Sequence, residues 1–296
     1  MTRVLVTGAS GFIGSALIRT LLAGGSEVRA AYRRPSPEIP SGIDPVLVST
    51  LDGGTCWRDA LTDIDAVVHL AGPAHGVTGF GEGVVEATRA LAEQAAAAGV
   101  QRFLFVSSIK AAAAQTFSEA IDEKREPSPD GAYGRAKLNA EAVLMRMSGL
   151  NAIVLRPPLV FAPTAKANFR RLLQLAGGGV PLPLKGVENR RSLISLDALC
   201  AAIARVVGGP EARGVFHVAG RPAVSSATMV AALREGMGRP SGLFRSAGLA
   251  ILLPKALTQS LVVDDERFRA TFGSASIDDD VRAALVACGA RWKRGQ

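Results

Sequence analysis

The stretch RVLVTGASGFIG, residues 3–14, runs from an apolar segment into a turn with three glycines. Residues 15–22 follow with apolar side chains at helical spacing, so the stretch predicts a strand, a loop and a helix. Gly8, Gly11 and Gly14 would allow a tight turn, a close approach of backbone N–H groups to a pyrophosphate, and close packing of the helix on the strand. The spacing G-x-x-G-x-x-G is one residue longer than the usual dinucleotide fingerprint. We predict a dinucleotide-binding turn, because an ordinary strand-to-helix turn rarely needs three glycines.

Apolar strands and helical segments alternate along the rest of the chain. The predicted strands are Val4–Thr7, Val28–Tyr32, Ala66–Leu70, Phe103–Ser107, Ala152–Arg156 and Gly214–Ala219. This alternation predicts the α/β class, with a Rossmann-type doubly wound parallel sheet and helices on both faces. After Pro163 the pattern becomes less regular. We therefore expect a dinucleotide-binding domain over residues 1–160, with 191–220 returning to the sheet, and a smaller C-terminal substrate-binding cap over 161–190 and 221–296.

Tyr133 and Lys137 stand four residues apart in a segment rich in good helix formers, so they would share one face of a helix. The ammonium of Lys137 beside the phenol would lower the pKa of Tyr133 from its usual value of about 10, which suits proton exchange with a hydroxyl or ketone. Ser108 follows an apolar run, residues 103–106, that predicts a buried parallel strand, and its hydroxyl would hold the substrate oxygen. An exposed helix offers Tyr-x-x-x-Lys pairs by chance, so it is the glycine turn that favours a carbonyl or alcohol redox site.

Several motifs together resemble the extended short-chain dehydrogenase/reductases and, within them, the NAD-dependent epimerase/dehydratase family. They are the glycine pattern, His69-Leu70-Ala71-Gly72 after an apolar strand, the set of Ser108, Tyr133 and Lys137, and Arg156-Pro157-Pro158. Segments 106–110, 155–161, 166–169 and 190–193 are similar to the UDP-sugar 4-epimerase and 4-ketoreductase branch. The resemblance covers nearly the whole chain.

The resemblance implies an enzyme acting at C4 of a UDP-hexose or UDP-N-acetylhexosamine, as a 4-epimerase or a 4-ketoreductase. It implies three catalytic residues: Ser108 orients the oxygen, Tyr133 shuttles the proton, and Lys137 also grips the nicotinamide ribose. The cofactor-binding residues that it implies are Gly8, Gly11, Phe12, Ile13, Gly14, Leu70, Ala71 and Lys137. For the substrate it implies Ser108 and Tyr133 at the sugar, and Asn168 and Arg191 at the nucleotide diphosphate. It also implies a homodimer formed through helices that flank the sheet.

The chain departs from the family's pattern at several positions. Thr50 stands where relatives often carry an adenine-contacting Asp, and Val84 where they often carry Asn close to the active site. Ile109 and Lys110 follow Ser108, where the dehydratases of the family have an Asp-Glu pair that eliminates water. We therefore expect epimerisation or reduction rather than dehydration.

The end of the second predicted strand bears on the choice of cofactor. NAD-binding relatives usually place Asp or Glu there, whereas this chain has Tyr32 followed by Arg33 and Arg34. Two guanidiniums suit a 2′-phosphate, although they would also be stable as solvated loop cations. We expect NADP(H) as the favoured cofactor, with NAD(H) as the alternative. Because a reductase consumes NADPH from solution, the arginines also favour net reduction.

The 296-residue chain has a formal net charge of +8, but its Lys and Arg residues are scattered rather than clustered with aromatics. We therefore expect an anionic small substrate and no nucleic acid. Cys56, Cys200 and Cys288 lie far apart without metal-ligand spacing, which favours a reducing cytosol and no metal site.

No segment predicts a membrane anchor or a signal peptide. The apolar run 247–253 is stopped by Pro254, well short of the ~20 residues that a membrane span needs. Met1 is followed almost at once by the first predicted strand, which leaves no room for a leader. We expect a cytoplasmic protein.

Two other functions stay open at this point. One is an NADPH-dependent reductase of a small non-nucleotide carbonyl, which would share the same triad under a different cap and would not bind UDP. The other is a non-catalytic NADP-sensing regulator, although such proteins typically lose the tyrosine and lysine that this chain keeps.

Overall fold

The computed structural model describes residues 1–34, 40–48, 50–70, 72, 80–116, 119–129, 131–246, 248, 253–273, 277 and 280–295. The strands are β1 Arg3–Thr7, β2 Glu27–Tyr32, β3 Ile43–Leu47, β4 Ala66–His69, β5 Arg102–Val106, β6 Ala152–Arg156, β7 Leu159–Phe161, β8 Leu193–Ser195 and β9 Gly214–His217. The helices are α1 Phe12–Ala23, α2 Arg58–Leu61, α3 Phe80–Ala97, α4 Gly131–Arg146, α5 Ala167–Gly177, α6 Leu196–Gly208, α7 Ser226–Gly236, α8 Lys255–Thr258, α9 Glu266–Phe272 and α10 Val281–Arg294, with a 3-10 turn at Ile109–Ala111. Within these ranges no helix combines the length and the apolar character needed to cross a membrane.

Seven parallel strands form one sheet in the order β3-β2-β1-β4-β5-β6-β9. At the end of β1, Thr7 lies in register with Ala31 of β2 on one side and with His69 of β4 on the other. Strand order reverses at β1, and a doubly wound sheet binds its ligand in the crevice outside the carboxyl ends of its strands at such a point. The predicted α/β class with a Rossmann-type parallel sheet is confirmed.

The central strands β1, β4, β5 and β6 are mostly apolar because helices cover both faces of the sheet. Helices α1, α6 and α9 pack on one face, and α2, α3 and α4 pack on the other. All six predicted strands are present; Ala152–Arg156 has the predicted bounds, and the other five have ends shifted by one or two residues.

The sequence patterns do not predict the edge strand β3. Leu47 at its end is 62% exposed, and Pro45 lies in its middle, so the strand lacks an apolar run. Proline is tolerated on an edge strand, because its missing N–H can face away from the neighbouring strand.

A separate apolar core lies beyond the sheet. It is formed by α5, α7 and α10 together with the short parallel pair β7 and β8. Helix α9 packs instead against the sheet, where the Phe272 and Phe216 ring centroids are 5.2 Å apart. The division near residue 160 into a dinucleotide-binding domain and a cap stays a prediction.

Arginines close the carboxyl ends of several helices. Arg102 donates to the carbonyls of Val206, Val207, Gly209 and Pro210 at the end of α6. Arg213 donates to the carbonyls of Met145 and Met147 after α4, each at 2.8 Å. Arg234 donates to the carbonyls of Ala176 and Val180 at and after the end of α5, and to that of Ser241 after α7. These cations satisfy carbonyls that have no intrahelical partner and lie at the negative end of the helix dipole.

Helices α7 and α10 pack backbone against backbone. A Cβ added at Gly236 would lie 1.9 Å from the carbonyl oxygen of Val286, and one added at Gly289 would lie 2.2 Å from that of Leu233. Each helix therefore presents a glycine to the backbone of the other, and neither position has room for a methyl group.

Gly289→Ala is expected to lower the free energy of unfolding by about 1–3 kcal/mol, because the new methyl group must separate α7 from α10. Urea unfolding followed by circular dichroism measures this. The matched control is Gly83→Ala in α3, where an added Cβ meets nothing within 4 Å and should stabilise by about 0.5–1 kcal/mol. Equal stabilities of the two variants would contradict the helix contact.

Candidate active site

The glycine turn joins β1 to α1 through contacts that exclude side chains. Gly8 has φ +71°, which is the left-handed region that favours glycine. A Cβ at Gly11 would lie 2.9 Å from the carbonyl oxygen of Gly8, and a Cβ at Gly14 would lie 2.2 Å from the same oxygen. Gly11 offers no capping side chain to α1, so the N–H groups of Phe12 and Ile13 belong to a first turn without intrahelical acceptors. The turn is suited to an anion.

His69 lies fully buried beneath this turn at the end of β4. The hydroxyl of Thr88 donates to the carbonyl of Val84 at 2.7 Å, so it accepts from Nε2–H of His69 at 3.2 Å. His69 Nδ1 is then free to accept from the hydroxyl of Thr7 at 2.7 Å. Burial, together with the charge of Lys137, lowers the pKa of His69 to about 3. His69 is therefore neutral, and its two hydrogen bonds connect β1 to α3.

Ser108, Tyr133 and Lys137 meet at the carboxyl edge of the sheet. Ser108 follows β5, and its hydroxyl is near enough to the phenol of Tyr133 to act on the pKa of that phenol. Lys137 lies one turn after Tyr133 on α4 and is 6% exposed; its ammonium donates to the carbonyl of Val106 at 3.0 Å. The same ammonium lies 4.5 Å from the ring centroid of Phe105. The structure thus brings together the three residues that the sequence patterns select.

Gly134 allows α4 to approach the turn that carries Ser108. A Cβ at this position would lie 2.3 Å from the carbonyl oxygen of Lys110, in the 3-10 turn, and 3.1 Å from the Pro129 side chain. A larger residue would push the helix away from the serine. Gly134 stands between Tyr133 and Lys137 in the sequence, but its position alone does not predict that the helix approaches the turn so closely.

The electrostatics of the pair differ from the sequence-based expectation. Burial raises the pKa of Tyr133 above its usual value, and the hydrogen bond from Ser108 opposes that rise only in part. Burial lowers the pKa of Lys137 to about 8, against the opposing charge of Glu141. The expected lowering of the Tyr133 pKa by Lys137 is therefore wrong for the protein alone, because desolvation of the phenol is the larger effect.

A buried ion pair lies behind the triad and was not predicted. Arg156, at the end of β6, donates to both carboxylate oxygens of Glu141, and the hydroxyl of Ser107 donates to the same carboxylate. Glu141 stands four residues after Lys137. That spacing was the available signal, because it places Glu141 on the helix face that carries Tyr133 and Lys137.

Of the remaining predicted cofactor residues, the structure describes Leu70, Arg33 and Arg34. Leu70 is half-buried after β4, and its N–H donates to the carbonyl of Thr7 at 3.3 Å. Arg33 and Arg34 are exposed in the segment after β2. Ala71 lies outside the described residues.

The two predicted diphosphate contacts lie on different elements. Asn168 is exposed in the first turn of α5. Arg191 is half-buried before β8, where its guanidinium donates to the carbonyl of Gln259 at 2.9 Å. Burial lowers the pKa of Arg191. Within the described ranges, no cluster of three or more His, Cys, Asp or Glu residues could hold a metal ion.

The chain is similar in sequence to known enzymes and in fold to solved structures. The chain is 31% identical over 252 residues to the UDP-glucose 4-epimerase of Vibrio cholerae, covering 80% of this chain and 76% of that protein. It is 30% identical over 268 residues to the D-erythronate dehydrogenase of Cupriavidus necator, covering 79% of this chain and 82% of that protein. The crystal structure of UDP-glucuronic acid 4-epimerase from Bacillus cereus in complex with NAD has the same fold, with a TM-score of 0.79 at 19% identity over 99% of each chain.

Residues 4–219 match the NAD dependent epimerase/dehydratase family, and this range spans the glycine turn, His69 and the triad. The chain therefore belongs to that family, as an enzyme of the extended short-chain dehydrogenase/reductase type that uses a nicotinamide dinucleotide.

Proposed function

We propose that this enzyme acts at C4 of a UDP-hexose or UDP-N-acetylhexosamine, as a 4-epimerase or a 4-ketoreductase. The observation that carries the proposal is the convergence of Ser108 on Tyr133, with Lys137 on the next turn of the same helix. The match to a UDP-glucose 4-epimerase supports the substrate class.

The glycine turn fits a dinucleotide. Its three glycines leave no room for side chains at the first turn of α1, so a pyrophosphate would meet backbone N–H groups at a helix N-terminus. Gly8, Gly11, Phe12, Ile13 and Gly14 would hold it there. When bound, the nicotinamide supplies one chemistry, the transfer of a hydride to or from the reacting carbon.

Tyr133 moves the proton. Because burial raises its pKa, Tyr133 rests as a neutral phenol with a proton to give to a ketone oxygen. Ser108 orients that oxygen, since its hydroxyl is near enough to the phenol to oppose the rise in the pKa of Tyr133. Lys137, held by the carbonyl of Val106, supplies positive charge that favours the phenolate left after the transfer.

Asn168 and Arg191 would hold the nucleotide diphosphate. The backbone of Arg191 pairs with that of Val224 at 2.8 Å and 3.0 Å, and one guanidinium nitrogen is fixed on Gln259. Because this contact orients the planar guanidinium, its other N–H groups have defined directions in which they could donate to a phosphate.

The residues after Ser108 favour C4 chemistry without loss of water. Ile109 is buried, and its N–H donates to the carbonyl of Pro157 at 2.9 Å, while Lys110 is exposed. Neither side chain offers the carboxyl group that would remove and return protons in a dehydration.

Reduction of a small, non-nucleotide carbonyl is the second candidate. The match to D-erythronate dehydrogenase favours it, because that relative is 30% identical to this chain and is covered over 82% of its length. Calorimetric titration with UDP separates the two candidates, since only a nucleotide-sugar enzyme should bind it.

Tyr133→Phe is expected to lower kcat by roughly a hundredfold or more, the scale of a lost general acid or base. Nicotinamide absorbance measures this for net reduction of a UDP-sugar, and chromatographic separation of the two C4 epimers measures it for epimerisation, which consumes no cofactor. Tyr32→Phe, which alters the only other tyrosine of the chain, is the matched control and should keep wild-type turnover. Unchanged turnover in Tyr133→Phe would contradict the assignment of Tyr133 as the general acid or base.

NADP(H) is the proposed cofactor, because Arg33 and Arg34 are exposed after β2, within reach of solvent and of a 2′-phosphate. Replacing both with Ala is expected to raise KM for NADPH by roughly tenfold and to leave KM for NADH within about twofold. Arg19→Ala, an exposed arginine on α1, is the control for lost surface charge. Equal losses with both cofactors would argue for NAD(H).

Gly134→Ala is expected to lower kcat by about tenfold to a hundredfold while the protein stays folded, because the methyl group must move α4 and Tyr133 away from Ser108. Steady-state kinetics and circular dichroism measure the two effects. Gly83→Ala serves again as the control, and equal kcat values in both variants would contradict the proposed role of Gly134.

A further inference from the structure

The carboxylate of Glu141 is deeply buried at a junction of three elements. Glu141 is 2% exposed and Arg156 is 4% exposed. Arg156 Nε lies 3.1 Å from each carboxylate oxygen of Glu141, and the hydroxyl of Ser107 donates to one of them. The carboxylate therefore ties α4 to the ends of β5 and β6.

Resting on the proposed function, we propose that Glu141 is a positioning residue, whose carboxylate holds the Ser108 turn and the Lys137 ammonium in place against Tyr133.

The first step is the backbone of the serine turn. Ser107 immediately precedes Ser108, and its N–H donates to the carbonyl of Leu155 at 2.8 Å. Its side chain is bound to Glu141 on the other side. Ser107 is thus held from both the sheet and α4, and this fixes the direction in which the next residue presents its hydroxyl.

The second step is the helix face. Tyr133, Lys137 and Glu141 follow one another at intervals of four residues, so they lie along one side of α4. The bidentate pair with Arg156 fixes the rotation and height of that side relative to β6. A shift of the helix would have to break this pair inside the protein.

The third step is charge. The groups that face the Lys137 ammonium are Glu141 on its own helix, His69 on β4, which is neutral, and the carbonyl of Val106 and the ring of Phe105 on β5. The carboxylate of Glu141 is the negative charge among them. Its negative charge raises the pKa of Lys137, whereas burial lowers that pKa.

Stability alone gives little reason for such an arrangement. Buried ion pairs can often be replaced by apolar residues without loss of stability, whereas removing one partner strands the other. The Glu141 carboxylate also binds Ser107, which precedes Ser108, and it raises the pKa of Lys137. Its role is therefore to position the groups of the site.

Two variants separate these effects. Ser107→Ala keeps the Glu141 and Arg156 pair and should lower kcat with a UDP-sugar by about tenfold while KM changes less than twofold. Glu141→Gln removes the charge and should move the lysine midpoint to lower pH. That midpoint is read by NMR on protein labelled with 13Cε-lysine, where one resonance should titrate near pH 8 and vanish in Lys137→Met.

Glu86→Gln, an exposed glutamate on α3, is the matched control and should change neither reading. Wild-type kcat in Ser107→Ala, or a wild-type lysine midpoint in Glu141→Gln, would overturn the proposal. If Glu141→Gln does not fold, as shown by circular dichroism, the Ser107→Ala kinetics decide. A shifted lysine midpoint in an enzyme that turns over no UDP-sugar would support the proposal while contradicting the proposed function.

Discussion

The approach of α4 to the 3-10 turn after Ser108 is the contact on which the active site depends. Gly134 brings the helix so near the carbonyl of Lys110 that no side chain fits between them. Tyr133 reaches Ser108 because of this approach, and Lys137 reaches the carbonyl of Val106 one turn later. The buried pair of Glu141 and Arg156 holds the same helix from its next turn. One backbone contact and one ion pair thereby hold α4 against the turn that carries Ser108.

Much of this arrangement can be predicted from the sequence. The glycines at 8, 11 and 14 predict a turn, and the structure leaves no room for a Cβ at two of them. Alternating apolar and helical segments predict a parallel sheet, because such strands must be covered on both faces. A parallel sheet gathers the carboxyl ends of its strands at one edge, so Ser108 and the helix after it were expected to meet there.

Other features depend on packing that spacing does not encode. The rise in the Tyr133 pKa comes from burial, whereas the sequence reveals only the neighbouring lysine. Arg191 is anchored on Gln259, 68 residues later in the chain, and no local pattern predicts that contact. The sequence patterns do not predict strand β3, because a strand at the edge of a sheet can carry exposed polar residues and proline.

The arginines at the helix ends change the meaning of the chain's positive charge. Arg102, Arg213 and Arg234 direct their guanidiniums to main-chain carbonyls at the negative ends of α6, α4 and α5. All three count fully in the formal charge of +8, yet part of their field ends on the protein's own backbone. Unfolding breaks these hydrogen bonds and returns both the guanidiniums and the carbonyls to water.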